Sequence, residues 1–229
     1  MYVLPLHRKR DKIRNETDEM NYHIVNIEQG TTEWLNARKG KLTASQAKDI
    51  ITPTGKLAAA SKGLMRKLAR ECLLDDPLEF TGNAATQWGH DHEPIARDAF
   101  TEITGHAVDT VGLLQSTLHP CLACSPDGLL MIGDQIHGLE IKCPSVDTHV
   151  DYLLDGELPA KYRPQVHFSM AITGISTWYF MSYFPADGIK QFILPVHWDE
   201  YTDKIKSAAL AFAAEYEQEM PKILNAIRP

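Results

Sequence analysis

The spacing of apolar residues changes character near residue 106, and the change separates two kinds of element. Ahead of that point the pattern is helical. Thr31-Thr32-Glu33-Trp34 predicts a short helix with Thr31 or Thr32 as N-cap, and Thr43-Ala44-Ser45-Gln46 has the capping-box form, leading into a helix through Ile51. Pro53-Thr54-Gly55-Lys56 reads as a loop. Residues 62–74 and 89–104 predict helices, the second stopped by Gly105. Beyond His106, Val108, Val111, Leu113 and Leu114 predict a strand, and further strands follow at 121–124, 129–132 and 136–143. Gly133-Asp134 reads as the hairpin turn between the last two. A helix over 165–173 ends at Gly174, two aromatic and β-branched strands cover 177–184 and 191–196, and residues 200–227 form a long amphipathic helix. This order makes an α/β chain, a sheet covered by helices.

With 229 residues, 44% of them hydrophobic, the chain holds enough apolar surface for one core, and residues 23–229 are expected to form a single domain. Residues 1–22 differ. The run His7-Arg8-Lys9-Arg10-Asp11-Lys12 is basic and residues 15–21 are polar without periodicity, which reads as a mobile arm or as a basic arm that touches DNA. No apolar run approaches the ~20 residues that span a bilayer, and no signal-type apolar stretch follows the basic run. With only four cysteines, a reducing, cytoplasmic setting is expected. A formal net charge of -7 and a pI of about 5.8 exclude a general positive coat. They leave a DNA enzyme open, because phosphate binding depends on local Lys and Arg.

The sharpest chemical signal is Gly138-Leu139-Glu140-Ile141-Lys142-Cys143-Pro144. On a strand, Glu140 and Lys142 share a face while Ile141 points away. A carboxylate able to hold a metal then stands beside an ammonium able to steer or deprotonate a water, although the spacing equally suits an ordinary ion pair. Cys124-Ser125-Pro126-Asp127-Gly128 contains a Pro-Asp-Gly turn. If the strands around it pair, Asp127 and Glu140 converge at one end of the sheet, and two carboxylates with waters suit Mg²⁺. Trp88-Gly89-His90-Asp91-His92-Glu93-Pro94 places Glu93 ahead of a helix whose apolar face holds Ile95, Ala96, Ala99 and Phe100. The neighbouring His90, Asp91 and His92, or Cys121 and Cys124 with Cys143 or His119, would suit zinc instead, but no second cysteine pair completes the set. Arg38 offers a planar donor fork for phosphate and Ser45 lies near a helix N-terminus; a surface charge and a helix cap are the plain alternatives.

Together, Trp34-x-x-x-Arg38-x-Gly40-x-x-Thr43-Ala44-Ser45, Trp88-Gly89-x-x-x-Glu93, Cys124-Ser125-Pro126-Asp127-Gly128, Glu140-x-Lys142-Cys143-Pro144 and Gln165-Val166-x-x-Ser169-Met170 resemble the lambda exonuclease family, phage-type alkaline exonucleases of the PD-(D/E)XK superfamily. The strings run in the family's order over about residues 28–184. The resemblance implies a restriction-endonuclease-like core, a mixed central β-sheet flanked by α-helices. By motif position it implies Glu93, Asp127 and Glu140 as metal ligands, with the backbone carbonyl of Ile141, for two Mg²⁺ ions per site (Mn²⁺ as substitute). It also implies Lys142 to orient or activate the attacking water, Gln165 to support the site, and Arg38 and Ser45 to bind a 5′-phosphate. Two metals stabilise the nucleophile and leaving group of phosphodiester cleavage, and a lowered pKa is expected for Lys142 beside them, making it a candidate base.

The implied reaction is 5′-to-3′ digestion of one strand of linear double-stranded DNA to 5′-mononucleotides. The remaining 3′ single strand would pass to a single-strand annealing partner in phage or prophage recombination, in the bacterial cytoplasm, and family members form homotrimer rings around DNA. The chain departs from the pattern at the apolar strand-parting position, here Thr86, which leaves the loop between Phe80 and Gln87 as an alternative. Where lambda exonuclease grips the groove with an Arg, Lys56 and Lys62 are the candidates here. The rival readings are an endonuclease or junction resolvase with the same core, a DNA-end binding module without chemistry, and a zinc-binding structural protein. A 5′-phosphate pocket argues against the first, and a complete set of acidic residues against the second.

Overall fold

The computed structural model describes residues 21–59, 61–74 and 84–227. Residues 1–20 of the expected arm, and the Phe80 end of the expected strand-parting loop, lie outside them. In chain order the elements are β1 (Tyr22–Val25), α1 (Thr32–Arg38), β2 (Leu42–Thr43), a 3-10 turn (Ala44–Asp49), α2 (Ser61–Leu73) and α3 (Ala84–Thr104). Then come β3 (Val108–Asp109), β4 (Leu113–Ser116), β5 (Leu122–Cys124), β6 (Gly128–Ile132) and β7 (Gln135–Lys142). The chain closes with α4 (Val146–Asp155), α5 (Arg163–Thr173), β8 (Thr177–Ser182), β9 (Phe192–His197) and α6 (Glu200–Ile227). Among the described residues no helix is long and apolar enough to cross a membrane.

The strands form two mixed sheets flanked by helices, one in the order β1-β4-β5-β2 and one in the order β3-β6-β7-β8-β9. The α/β class holds, but the single sheet expected from the sequence is divided. The stretch predicted as one strand around 108–114 makes the division. Val108 pairs with Leu130 in the larger sheet, whereas Leu114 pairs with Cys124 in the smaller. Between them the chain presses Gly112 against Ile27, where a Cβ would lie 2.1 Å from the Ile27 carbonyl oxygen.

β6 and β7 form the predicted hairpin, antiparallel from Gly128↔Leu139 to Ile132↔Gln135. Gly133 supplies the positive φ of 61° that its two-residue turn needs. β7 then pairs in parallel with β8, Lys142 beside Ser182. Alternation along β7 sends Leu139 and Ile141 to one face, where they pack with Ala96 and Phe100 of α3, and Glu140 and Lys142 to the other. On β8, Trp178 packs against Gly138, where a Cβ would sit 2.2 Å from its ring.

α5 is buried from Val166 to Thr173. It tolerates this because the hydroxyls of Ser169 and Thr173 donate to the carbonyls of Gln165 and Ser169 within the helix. α6 lies over it, burying Tyr201, Ile205, Ala208, Ala209 and Phe212 at helical spacing. Each large apolar side chain so removed from water contributes ~1.5–3 kcal/mol.

Three boundaries differ from the pattern. α3 begins at Ala84, so Glu93 lies inside it rather than ahead of it, followed by Pro94. The helix expected to run from Thr43 through Ile51 is a 3-10 turn ending at Asp49, and Ile51 bridges to Leu57 instead. Tyr22, counted with the arm, is fully buried in β1 opposite Ser116.

Candidate active site

The β6–β7 hairpin sets the first two acidic groups. Asp127 precedes β6, and its backbone N–H donates to the Leu139 carbonyl at 3.0 Å. Its Oδ2 accepts from the Ile141 N–H at 2.6 Å, which pins the carboxylate beside β7. Backbone N–H and C=O of one strand residue point to the same edge, so the Ile141 carbonyl also faces Asp127. Glu140, 1% exposed, accepts at Oε1 from Lys142 Nζ and from Gln165 Nε2 on α5. Glu93 approaches from α3, paired through Oε1 with Arg97 one turn on, and Arg97 also reaches the Asp127 carbonyl at 3.4 Å. Glu93, Asp127, Glu140, Ile141, Lys142 and Gln165, chosen from sequence, therefore meet in one place. Arg97 was not chosen; its only signal was the i,i+4 spacing from Glu93.

The charges there are unbalanced. Burial pushes the Asp127 carboxyl well above the ordinary range; Glu140 and Glu93 add to this, while Lys142 and the Ile141 N–H oppose it. Burial also raises Glu140, against the attraction of Lys142. For Lys142, burial acts to lower the pKa, but Glu140 and Asp127 outweigh it and hold the ammonium above its usual value. The lowered pKa expected for Lys142 concerns the loaded site, where bound cations would share the carboxylate charge. In the protein alone, Lys142 and Arg97 share the carboxylate charge.

Among the described residues no three His, Cys, Asp or Glu side chains form a preassembled metal cage. Glu140 and Glu93 each give one oxygen to Lys142, Gln165 or Arg97 instead. Yet Asp127 Oδ1, Glu140 Oε2 and Glu93 Oε2 accept no hydrogen bond from the described residues. Three carboxylates against two cations suit a hard, oxygen-bound divalent ion that keeps its waters. Zinc fits poorly. Among the described residues Cys121, Cys124, Cys143 and His119 gather into no group of three that could hold it. His119 pairs with Glu217, His92 stacks on Trp88, and Asp91 accepts from Gln87.

A second polar cluster stands on the smaller sheet. Thr31 caps α1 by accepting from the Trp34 N–H, and α1 delivers Arg38 to the end of β5. Arg38 Nη1 donates to Ser125 Oγ at 3.1 Å and Nη2 to Thr43 Oγ1 at 3.3 Å, with the guanidinium 4.1 Å over the Trp34 ring. Trp34 Nε1 donates to the same Ser125 oxygen at 3.0 Å. Burial lowers Arg38 to about 10, against the pull of Cys124 and Glu71, so it remains a cation at neutral pH. It is no surface charge. Ser45 is exposed and 3.4 Å from Thr43 Oγ1; Thr43, not Ser45, is the cap, with Gln46 completing its capping box. Sequence reasoning gave no role to Ser125 and took Thr43 only as the start of a capping box. Gln29 was also missed: its Nε2 donates to the carbonyls of Val111 and Pro126, both at 2.8 Å, and steadies the Ser125–Asp127 link between the sheets.

Residues 33–176 match a family described as the YqaJ-like viral recombinase domain. The fold is similar to the crystal structure of an alkaline exonuclease (LHK-Exo) from Laribacter hongkongensis, with a TM-score of 0.73 and 33% identity over 86% of this chain and 97% of that one. The same exonuclease in complex with dAMP aligns with a TM-score of 0.71 and 31% identity over the same shares of both chains. A phage related exonuclease from Haemophilus somnus 129PT shares the fold at a TM-score of 0.58 and 18% identity, covering 80% of this chain and 96% of its own. No curated protein matches the sequence.

Proposed function

The chain belongs to the YqaJ-like viral recombinase family, and from that membership we propose that it is an exonuclease that digests one strand of linear double-stranded DNA from a 5′-phosphorylated end. The observation that carries the reading is the convergence of Asp127, Glu140 and Lys142 at the end of β7, with the Arg38–Ser125 cluster two residues from Asp127. The similarity to an alkaline exonuclease that also binds dAMP supports it.

In this reading Glu93, Asp127, Glu140 and the Ile141 carbonyl hold Mg²⁺, with Mn²⁺ as a substitute. When bound, the ions supply activation of the attacking water and neutralisation of the leaving oxygen. Lys142 orients the water and offsets charge gathering on the phosphate, and Gln165 keeps Glu140 turned toward it. Arg38, with Thr43, Ser45 and Ser125, holds the terminal phosphate, a planar guanidinium between two hydroxyls being well matched to an anion. The proposal extends to a homotrimer ring around DNA, to release of 5′-mononucleotides, and to passage of the 3′ strand to a single-strand annealing protein during phage or prophage recombination in the bacterial cytoplasm.

The test is digestion of linear duplex carrying a 5′-phosphate or a 5′-hydroxyl, and of closed circular duplex, in Mg²⁺ or EDTA. Release of 5′-mononucleotides from linear ends, ~10- to 100-fold faster where the end is phosphorylated and abolished by EDTA, is expected. Nicking of the closed circle, or loss from 3′ ends, would overturn the proposal.

A further inference from the structure

We propose that Trp88 and His92 on α3 form a stacking platform for an unpaired nucleobase of the digested strand, an inference that rests on the nuclease reading above. Trp88 is 39% exposed. A single exposed aromatic needs no explanation, but this one is held in place. Its ring stacks on His92 with centroids 3.8 Å apart and planes 29° apart. His92 Nδ1 is fixed by donating to the Trp88 carbonyl at 2.8 Å. Phe184 stands 6.5 Å from the Trp88 ring. Trp88 and His92 belong to neither core cluster, so their order does not come from core packing.

Their neighbours are the acting residues. His92 directly precedes Glu93. Phe184 follows Tyr183, whose N–H donates to the Lys142 carbonyl at 2.8 Å. The three rings thus gather where β7 and β8 end, beside the acidic cluster. The groups described there address phosphate and metal, and none addresses a base. Stacking suits the task, because every base offers a π-face and an enzyme that consumes a strand must accept all four in turn. Bases inside the duplex are already stacked on each other, so the platform favours a nucleotide that has left its pair.

The test compares wild-type protein with Trp88→Ala and Trp88→Phe on linear duplex whose 5′-phosphorylated terminal nucleotide is ordinary, abasic or 2-aminopurine. Trp88→Ala is expected to raise KM on ordinary ends by ~5- to 100-fold, the range that base–aromatic stacking supplies, with kcat changed far less. Trp88→Phe should restore most of the loss. On abasic ends wild type and Trp88→Ala should be alike, and 2-aminopurine emission should be quenched by wild type and not by Trp88→Ala. An equal loss on ordinary and abasic ends, or none on either, overturns the inference. Quenching through Trp88 by a wild-type protein that digests no linear duplex would keep the platform and overturn the nuclease reading instead.

Discussion

The carboxylate of Asp127 accepts the backbone N–H of Ile141 at 2.6 Å, so an acidic side chain outside the sheet is held by the main chain of the strand that bears Glu140 and Lys142. A backbone donor cannot rotate away, and the spacing of the acids is therefore a property of the hairpin itself. Within that frame Lys142 is the cation whose charge acts on both carboxylates.

Replacing Lys142 by Ala is expected to reduce DNA cleavage by ~10²–10³-fold, the usual scale for a lost group that stabilises developing charge, while leaving binding of a duplex end near wild type. The same variant leaves buried Glu140 and half-buried Asp127 without their counter-charge. Added Mg²⁺ should therefore raise its Tm more than it raises that of the wild type, and EDTA should reverse both gains. Calorimetry with and without metal, beside end-labelled digestion, checks the pair of outcomes; equal loss of binding and cleavage would refute this role for Lys142.

Arg38→Ala should erase the preference for phosphorylated over hydroxyl ends, a change of ~10- to 100-fold given about 1.5–3 kcal/mol for hydrogen bonds to a charged group. Arg38→Lys should not restore it, because a single ammonium cannot bridge Ser125 and Thr43 as the guanidinium does. Competition between the two kinds of end in one digest reads this directly.

His167 gives a pH dependence of stability. Buried in α5 against Thr202 and Tyr201, its pKa is lowered to about 4, chiefly by burial, with Asp199 opposing and Arg163 adding. Between that value and its ordinary 6.5, the unfolded chain binds the proton more readily than the folded one. Its contribution is thus complete above pH ~6.5 and is lost as pH falls toward ~4, on the order of 3 kcal/mol. Unfolding curves of wild type and His167→Gln across this window should show the difference shrinking with acid.

Gly138→Ala places a methyl group 2.2 Å from the buried Trp178 ring. Overpacking of this kind costs about 1–3 kcal/mol, and the Tm should fall by several degrees. Because the shift enters β7 two residues before Glu140, activity well below the new Tm should fall as well.

Much of this was legible in the sequence where the cause was local. The β6–β7 hairpin follows from alternation and its Gly-Asp turn, α6 from an unbroken helical period, and the Glu140–Lys142 face from strand geometry. α4 was not anticipated: its buried face is His149 and Tyr152, while Val146, Val150 and Leu154 face outward, inverting the usual pattern. The division into two sheets was hidden because it depends on which partners Val108 and Leu114 find across the chain. Ser125, Gln29 and the contact of Thr43 with Arg38 were passed over for the same reason. Their hydroxyls and amide acquire meaning only from residues brought to them by folding.

Ser125 and Asp127 are separated by two peptide units, a span of at most about 7 Å. If the first anchors the terminal phosphate and the second works on the bond to be cut, the gap between them is a rigid ruler. No hinge lies within it to stretch, and the Gln29 clamp holds its middle residue by the carbonyl. An enzyme built on such a ruler advances along its strand in strides of one fixed length, whatever the sequence underfoot.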